Sequence, residues 1–215
     1  MKRKFYILGI ITVFLFAFTS CQKHSSGPVT VTLAPSNNPT EFDVNMLGGN
    51  DWSAPTSIEA PLAAWTIGGT PVTMRQLLKF DMGKIPASAN IIKADLYLYS
   101  DTIPQNGDLV HANYGLNNAV IVQQIATSWD PATVNWDNQP HGLADNQIIV
   151  PSTAQPFLNL DIDVKQMVSQ MVNKGANYGF KMQLQDESIY TSRIFCSSYY
   201  SDASRHPKLV ITYSR

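Results

Sequence analysis

Residues 77–101 read LLKFDMGKIPASANIIKADLYLYSD, and the alternation inside this stretch decides the fold class. Ile92, Ala94, Leu96 and Leu98 fall on one side of an extended chain, and Lys93, Asp95, Tyr97 and Tyr99 on the other. That period of two marks a half-buried strand. Leu77, Leu78 and Phe80 form a shorter apolar run before it. Gly83 and Pro86 separate the two, and Pro86, with no N–H to give to a ladder, belongs to the connection. A sheet with one apolar face must be covered by a second layer.

Working outward, short strands are expected at Ala119–Ala126, Thr133–Trp136, Ile148–Val150, Phe157–Ile162, Phe180–Leu184 and Leu209–Tyr213. Glu41–Thr73, rich in Gly, Pro, Asn and Ser, reads as long loops between short strands, with Trp52 and Trp65 embedded in them. One helix is expected from Val164 to about Lys174, where Val164, Met167, Val168, Met171 and Val172 share a face. Asp163 with Gln166 has the form of a capping box, and Gly175 stands where a left-handed terminating residue is wanted. Many short alternating strands with one helix predict an all-β, antiparallel β-sandwich of jelly-roll type, the helix lying across one end. No repeat of solenoid or propeller length recurs.

The amino terminus carries other information. Lys2, Arg3 and Lys4 precede an apolar run from Phe5 to Phe18, too short to span a bilayer, and Phe18-Thr19-Ser20-Cys21 has the form of a lipobox. The expected organisation is a lipoprotein signal peptide over residues 1–20, a tether over 21–40 in which only Val29–Leu33 suits an edge strand, and a β-sandwich domain over 41–215. Cys21 is the expected lipidation site, against an ordinary signal peptide cut nearby. Cys196 then remains as a lone thiol, placed by its alternation with Ile194 in a buried strand. Losing the three basic residues takes 15 cations to 12 against 16 anions, which leaves no basic stripe and excludes nucleic acid as a partner class.

The blocks LLKFDMGKIPASANIIKADLYLYS, TSWDPATVNWDNQP, LDIDVKQMVSQMVNKGANYGFKMQLQ and SSYYSDASRHPKLVITY, in that order, resemble a DNRLRE (disaggregatase-related) domain, over roughly Glu41–Tyr213. The resemblance implies a jelly-roll carbohydrate-binding module for polysaccharide, here as a bacterial lipoprotein of Bacteroidota type. The implied address is the outer membrane of the cell envelope.

Sugars are held by aromatic rings under their C–H faces and by hydrogen bonds from amides, carboxylates and arginines. Trp52 and Trp65 are the leading stacking candidates. Of the adjacent Tyr199 and Tyr200, at least one should be exposed. Trp129 and Trp136 belong to the framework block and read as core. Arg75 and Arg193 (and Arg205) have the shape to pair with a uronate, so an acidic polysaccharide is one candidate ligand, with surface ion pairing as the alternative use. No cofactor is called for. Structural calcium has one weak pair of donors, Asp161 and Asp163, two apart on a strand. The expected state is a monomer.

For catalysis the pattern offers nothing: His24, His111, His141 and His206 are scattered, and neither G-x-S-x-G nor H-E-x-x-H occurs. The expected function is therefore non-catalytic polysaccharide binding by a lipid-anchored envelope protein. A structural or adhesion lipoprotein binding a protein partner is the alternative, and a lyase or glycoside hydrolase the third reading.

Overall fold

The computed structural model describes residues 27–35, 42–48, 52–54 and 56–215, with backbone alone for 42–47 and 52–54. The signal segment and Cys21 lie outside them. The chain forms β1 (Val29–Leu33), β2 (Phe42–Gly48), β3 (Trp52–Ala54), β4 (Glu59–Ile67), β5 (Thr70–Lys79), β6 (Asn90–Leu98), β7 (Asn113–Tyr114), β8 (Val120–Ile125), β9 (Gly142–Val150), β10 (Leu160–Asp163), α1 (Lys165–Lys174), β11 (Phe180–Leu184), β12 (Thr191–Cys196) and β13 (Lys208–Ser214). A single turn of 3-10 helix occupies Ala203–Arg205.

Two antiparallel sheets result. One has the order β1-β13-β6-β10; the other runs β7-β12-β4-β5-β11-β8-β9, with β2 also on β5 and β3 on β2. Their facing sides share one apolar core, to which β6, β10 and β13 bring Leu96, Leu98, Ile162, Leu209 and Ile211, and β4, β8, β11 and β12 bring Leu62, Val122, Phe180, Met182 and Phe195. This is the β-sandwich with one helix that the alternation predicts. The edge strand in the expected tether forms, pairing with β13 from Val29↔Tyr213 to Leu33↔Leu209.

Helix α1 carries the chain from β10 in the first sheet to β11 in the second, and Val164, Met167, Val168, Met171 and Val172 all enter the core. Its end is the expected one, with Gly175 at φ 62° and its N–H, together with that of Ala176, closing on Val172 and Met171 carbonyls. Its start differs by one residue. Val164 is the N-cap and makes no side-chain cap bond, while the Asp163 carboxylate accepts from the Lys165 N–H at 2.9 Å. Val164 is drawn into the core and its N–H is given to the Ala94 carbonyl, so burial sets the boundary instead of the capping pattern.

Three further expectations fail for local reasons. In β6 it is Ile91, 4 % exposed, that turns inward, while Ile92 is 41 % exposed. The ladder pairs Thr212 with Lys93 and Tyr213 with Ile91, leaving Ile92 as the extra residue of a β-bulge that resets the alternation. Glu41–Thr73 is not mainly loop: it holds β2, β3, all nine residues of β4 and the start of β5. Small residues such as Ala60, Ala63 and Ala64 are buried in β4, which is why its composition resembles that of a loop. Thr133–Trp136 forms turns, built by side chains: Asp130 accepts from Ala132 N–H, and Asn135 and Asn138 exchange bonds with each other's backbone. These turns seat Val134, Trp129 and Trp136 against Leu77 and Ile125 in a separate cluster on the opposite side of β5 and β8 from the main core.

Candidate carbohydrate-binding site

Trp65 lies in β4, two residues after the buried Ala63, and the two therefore share a face. Across the ladder Ala63 pairs with Ser192, and Ser192 pairs with Tyr114 of β7. This stacking of short strands brings three aromatics from distant parts of the chain together. Trp65 meets Tyr114 edge-to-face at 5.5 Å between centroids, and meets Tyr190 the same way at 5.2 Å.

Trp65 is half-buried, but Tyr114 and Tyr190 are exposed, and exposed Ile67, Ile189 and Leu116 occur in the same segments. Tyr190 has φ 65°, a left-handed conformation that costs a bulky residue on the order of 1–2 kcal/mol. Holding an exposed tyrosine there is the kind of strain that gathers at functional sites.

Beside Tyr114 opens a cavity of about 420 Å³, with walls from the 111–116 and 153–156 segments. Two asparagines clamp those walls together. Asn118, fully buried, donates to the Gly115 and Thr153 carbonyls at 2.9 and 3.0 Å and accepts from Thr153 N–H at 2.9 Å. Asn113 donates through Nδ2 to the Gln155 carbonyl at 3.0 Å, and its own N–H reaches the Pro156 carbonyl at 3.0 Å. Its Oδ1, also buried, has no hydrogen-bond donor. His111 lines the mouth, its Nδ1 2.7 Å from the Asp108 carboxylate.

The loop leading to this site is anchored by acid groups. Glu59, at the start of β4, is buried and accepts from the Gln105 N–H and from Asn106 Nδ2, and its side chain hydrogen-bonds Asp101. Burial pushes the Glu59 carboxyl up to about 7.

The residues singled out from the sequence do not converge on one site. Trp65 belongs to the cluster just described; Trp52 opens β3, opposite Leu47 of β2, with its side chain outside the described residues. Tyr199 and Tyr200 follow β12 in a turn, not a strand, and neither is exposed: the Tyr200 hydroxyl donates to Asp101 at 3.3 Å and its ring lies 5.5 Å below the Arg205 guanidinium. Arg75 is half-buried and fully engaged. It makes a bidentate pair with Glu187 at 2.7 and 2.8 Å, donates to Gln139 at 3.2 Å, and lies 4.4 Å over the Trp136 ring. Arg193 is wholly buried beneath the cavity walls, donating through Nη1 to the Asn118 and Pro151 carbonyls at 3.4 Å, and burial lowers its pKa to about 10. Its Nε and Nη2, also buried, have no hydrogen-bond partner among the described residues. Asp161 and Asp163 stand opposite Tyr97 and Asp95 across the β10–β6 ladder, and among the described residues no three His, Cys, Asp or Glu side chains are grouped to hold a metal.

Sequence reading missed Tyr114, Tyr190 and Asn113. The criterion that picked out Trp52 and Trp65, an aromatic among turn residues, also applies to Tyr114 in NYG and to Tyr190 in DESIY. Their meeting with Trp65 depends on the order of strands in the sheet, which no local pattern carries.

No curated protein matches the chain. Residues 64–213, from the residue before Trp65 to the last inward side chain of β13, match the model of carbohydrate-binding module family 96, and the chain belongs to that family of carbohydrate-binding modules.

Proposed function

We propose that this chain is a non-catalytic polysaccharide-binding protein, acting as a monomer and held at the bacterial outer membrane by a lipid on Cys21. The observation that carries the binding reading is the Trp65–Tyr114–Tyr190 cluster, partly exposed and built on strand pairing, beside a cavity edged with amides. Rings held this rigidly stack on sugar C–H faces at little cost in conformational entropy. Membership of a binding-module family supports the absence of catalysis, and the lipobox ending at Cys21 supports the anchor.

The test is affinity electrophoresis of the purified chain through gels containing a broad range of polysaccharides, with Trp65→Ala, Trp52→Ala and Tyr190→Ala alongside. Retardation by a polymer, lost in Trp65→Ala and Tyr190→Ala, is the expected result. Equal mobility in every gel sinks the reading. Incorporation of a fatty-acid label in cells, abolished by Cys21→Ser, tests the anchor separately.

A further inference from the structure

We infer that His111 is a glycan-contacting residue, which presents its Nε2 at the mouth of the cavity between the 111–116 and 153–156 segments to a hydroxyl of a sugar held against Tyr114. This deepens the reading above and rests on it.

His111 stands near the end of the loop that runs into β7, and the chain on both sides of it is fixed. Before it, Gly107 packs so closely on β12 that a Cβ there would stand 3.1 Å from Ser192 Oγ. After it, the Ala112 carbonyl accepts from the Ile194 N–H at 3.0 Å, and the Asn113 N–H reaches the Pro156 carbonyl at 3.0 Å. The ring is fixed as well. One oxygen of Asp108, Oδ2, accepts from the His111 backbone N–H at 3.2 Å and lies 2.7 Å from Nδ1.

This arrangement holds strain. Between the two residues Leu109 is kept at φ 64°, a conformation that bulky side chains avoid, while its own side chain is exposed. Among the described residues only Leu109 and Tyr190 are non-glycines in that conformation; one precedes the cavity wall and the other meets Trp65. A half-exposed ion pair such as Asp108–His111 contributes little to stability, so stability does not account for the strain. Setting a polar group in place before a ligand arrives does.

The orientation has a chemical result. A carboxylate only accepts, so Nδ1 carries a proton. The other nitrogen, Nε2, makes no hydrogen bond among the described residues, and the side chain is 44 % exposed, open to a ligand. Nε2 accepts when the ring is neutral and donates when it is protonated. A hydroxyl answers either state, because it both donates and accepts. Sugars set hydroxyls beside apolar C–H faces, and the cavity offers a partner for each: His111 on the polar side, and Tyr114, Leu116 and Pro156 as apolar wall.

The test is isothermal titration of the purified chain and of His111→Ala, His111→Gln and Trp65→Ala with xylan, galactomannan, β-glucan, alginate and polygalacturonate, with melting temperatures to show that the variants fold. For a polymer that binds, His111→Ala should weaken affinity roughly tenfold, as the loss of one hydrogen bond does, with melting unchanged. His111→Gln, which keeps a polar atom near the position of Nε2, should recover most of that loss. In NMR spectra the imidazole signals of His111, assigned by their absence from His111→Gln, should move on adding a hexasaccharide of the same polymer, and those of His141 and His206 should not. Binding lost in Trp65→Ala but unchanged in His111→Ala overturns the inference and leaves the carbohydrate reading standing. Weakening in both His111 variants with the His111 signals unmoved by the sugar also overturns it, since the loss is then structural. No binding to any polymer overturns the carbohydrate reading itself.

Discussion

Gly115 lies so close to Tyr190 that a Cβ built on it would stand 3.0 Å from the Tyr190 carbonyl oxygen, and 2.9 Å from Thr191 Oγ1. Its φ of 83° is also one that side-chain-bearing residues avoid. The glycine thus lets the segment carrying Tyr114 seat against the segment carrying Tyr190, and the two rings meet Trp65 because of it. Gly115→Ala should cost about 1–2 kcal/mol from the backbone conformation alone, a fall of roughly 2–8 °C in Tm for a chain of this size. Glycan affinity should fall further than stability does, because the strain is relieved by moving the tyrosines apart. Calorimetric melting and affinity electrophoresis of the same sample check this; unchanged affinity would separate Gly115 from the site.

Arg75 gives the opposite expectation. Its guanidinium is committed to Glu187, Gln139 and the Trp136 ring, so its loss is structural. Arg75→Leu leaves the partly buried Glu187 unpaired and should destabilise the fold by about 1–2 kcal/mol in urea. Polysaccharide binding should be unaffected. An affinity loss with the urea midpoint intact would instead make Arg75 a ligand-contacting residue.

The contrast between Trp65 and Arg193 shows what the sequence could disclose. Composition and loop-like context pointed to Trp65, and it is in the cluster, although it sits on a strand. Arg193 reads as a surface cation, since an isolated arginine in TSRIFC carries no sign of burial on both faces; only the covering by the 113–118 and 151–156 segments explains its environment. Sheet membership was legible wherever alternation was clean, as in Leu209, Ile211 and Tyr213. It failed at Ile92 because a bulge is defined by the partner strand. The cavity was not legible at all: its walls are more than thirty residues apart and are joined by Asn118, an asparagine with nothing local to mark it.

Cys196 offers a probe of folding. It is fully buried, and burial pushes its thiol up to about 12, so at neutral pH it is neither reachable nor ionised. In a chain beginning at Gln22 it is the sole cysteine. A thiol-specific chromogenic reagent should therefore react only as fast as the protein unfolds, and the rate should climb with urea along the unfolding transition. Rapid labelling of the native protein would mean that β12 opens locally.

Glu59 should make stability depend on pH in a direction unusual for a carboxyl group. Its folded value is raised from 4.5 to about 7, chiefly by burial, so the folded chain holds this proton more tightly than the unfolded one. Stability from this group is complete below pH 4.5 and is lost as pH rises through about 7, a loss on the order of 2–3 kcal/mol. Glu59→Gln keeps an acceptor for the Gln105 N–H but cannot ionise, so the variant should be the more stable protein at pH 8 and lose its advantage at pH 5. Because Glu59 anchors the 105–106 turn of the loop that leads to Asn113 and Tyr114, glycan affinity of the parent chain should weaken over the same interval and hold steady in Glu59→Gln. Urea midpoints and dissociation constants at pH 5, 6, 7 and 8 decide it. An identical pH profile in parent and variant would place the titration elsewhere and leave Glu59 as an anchor whose charge does not matter.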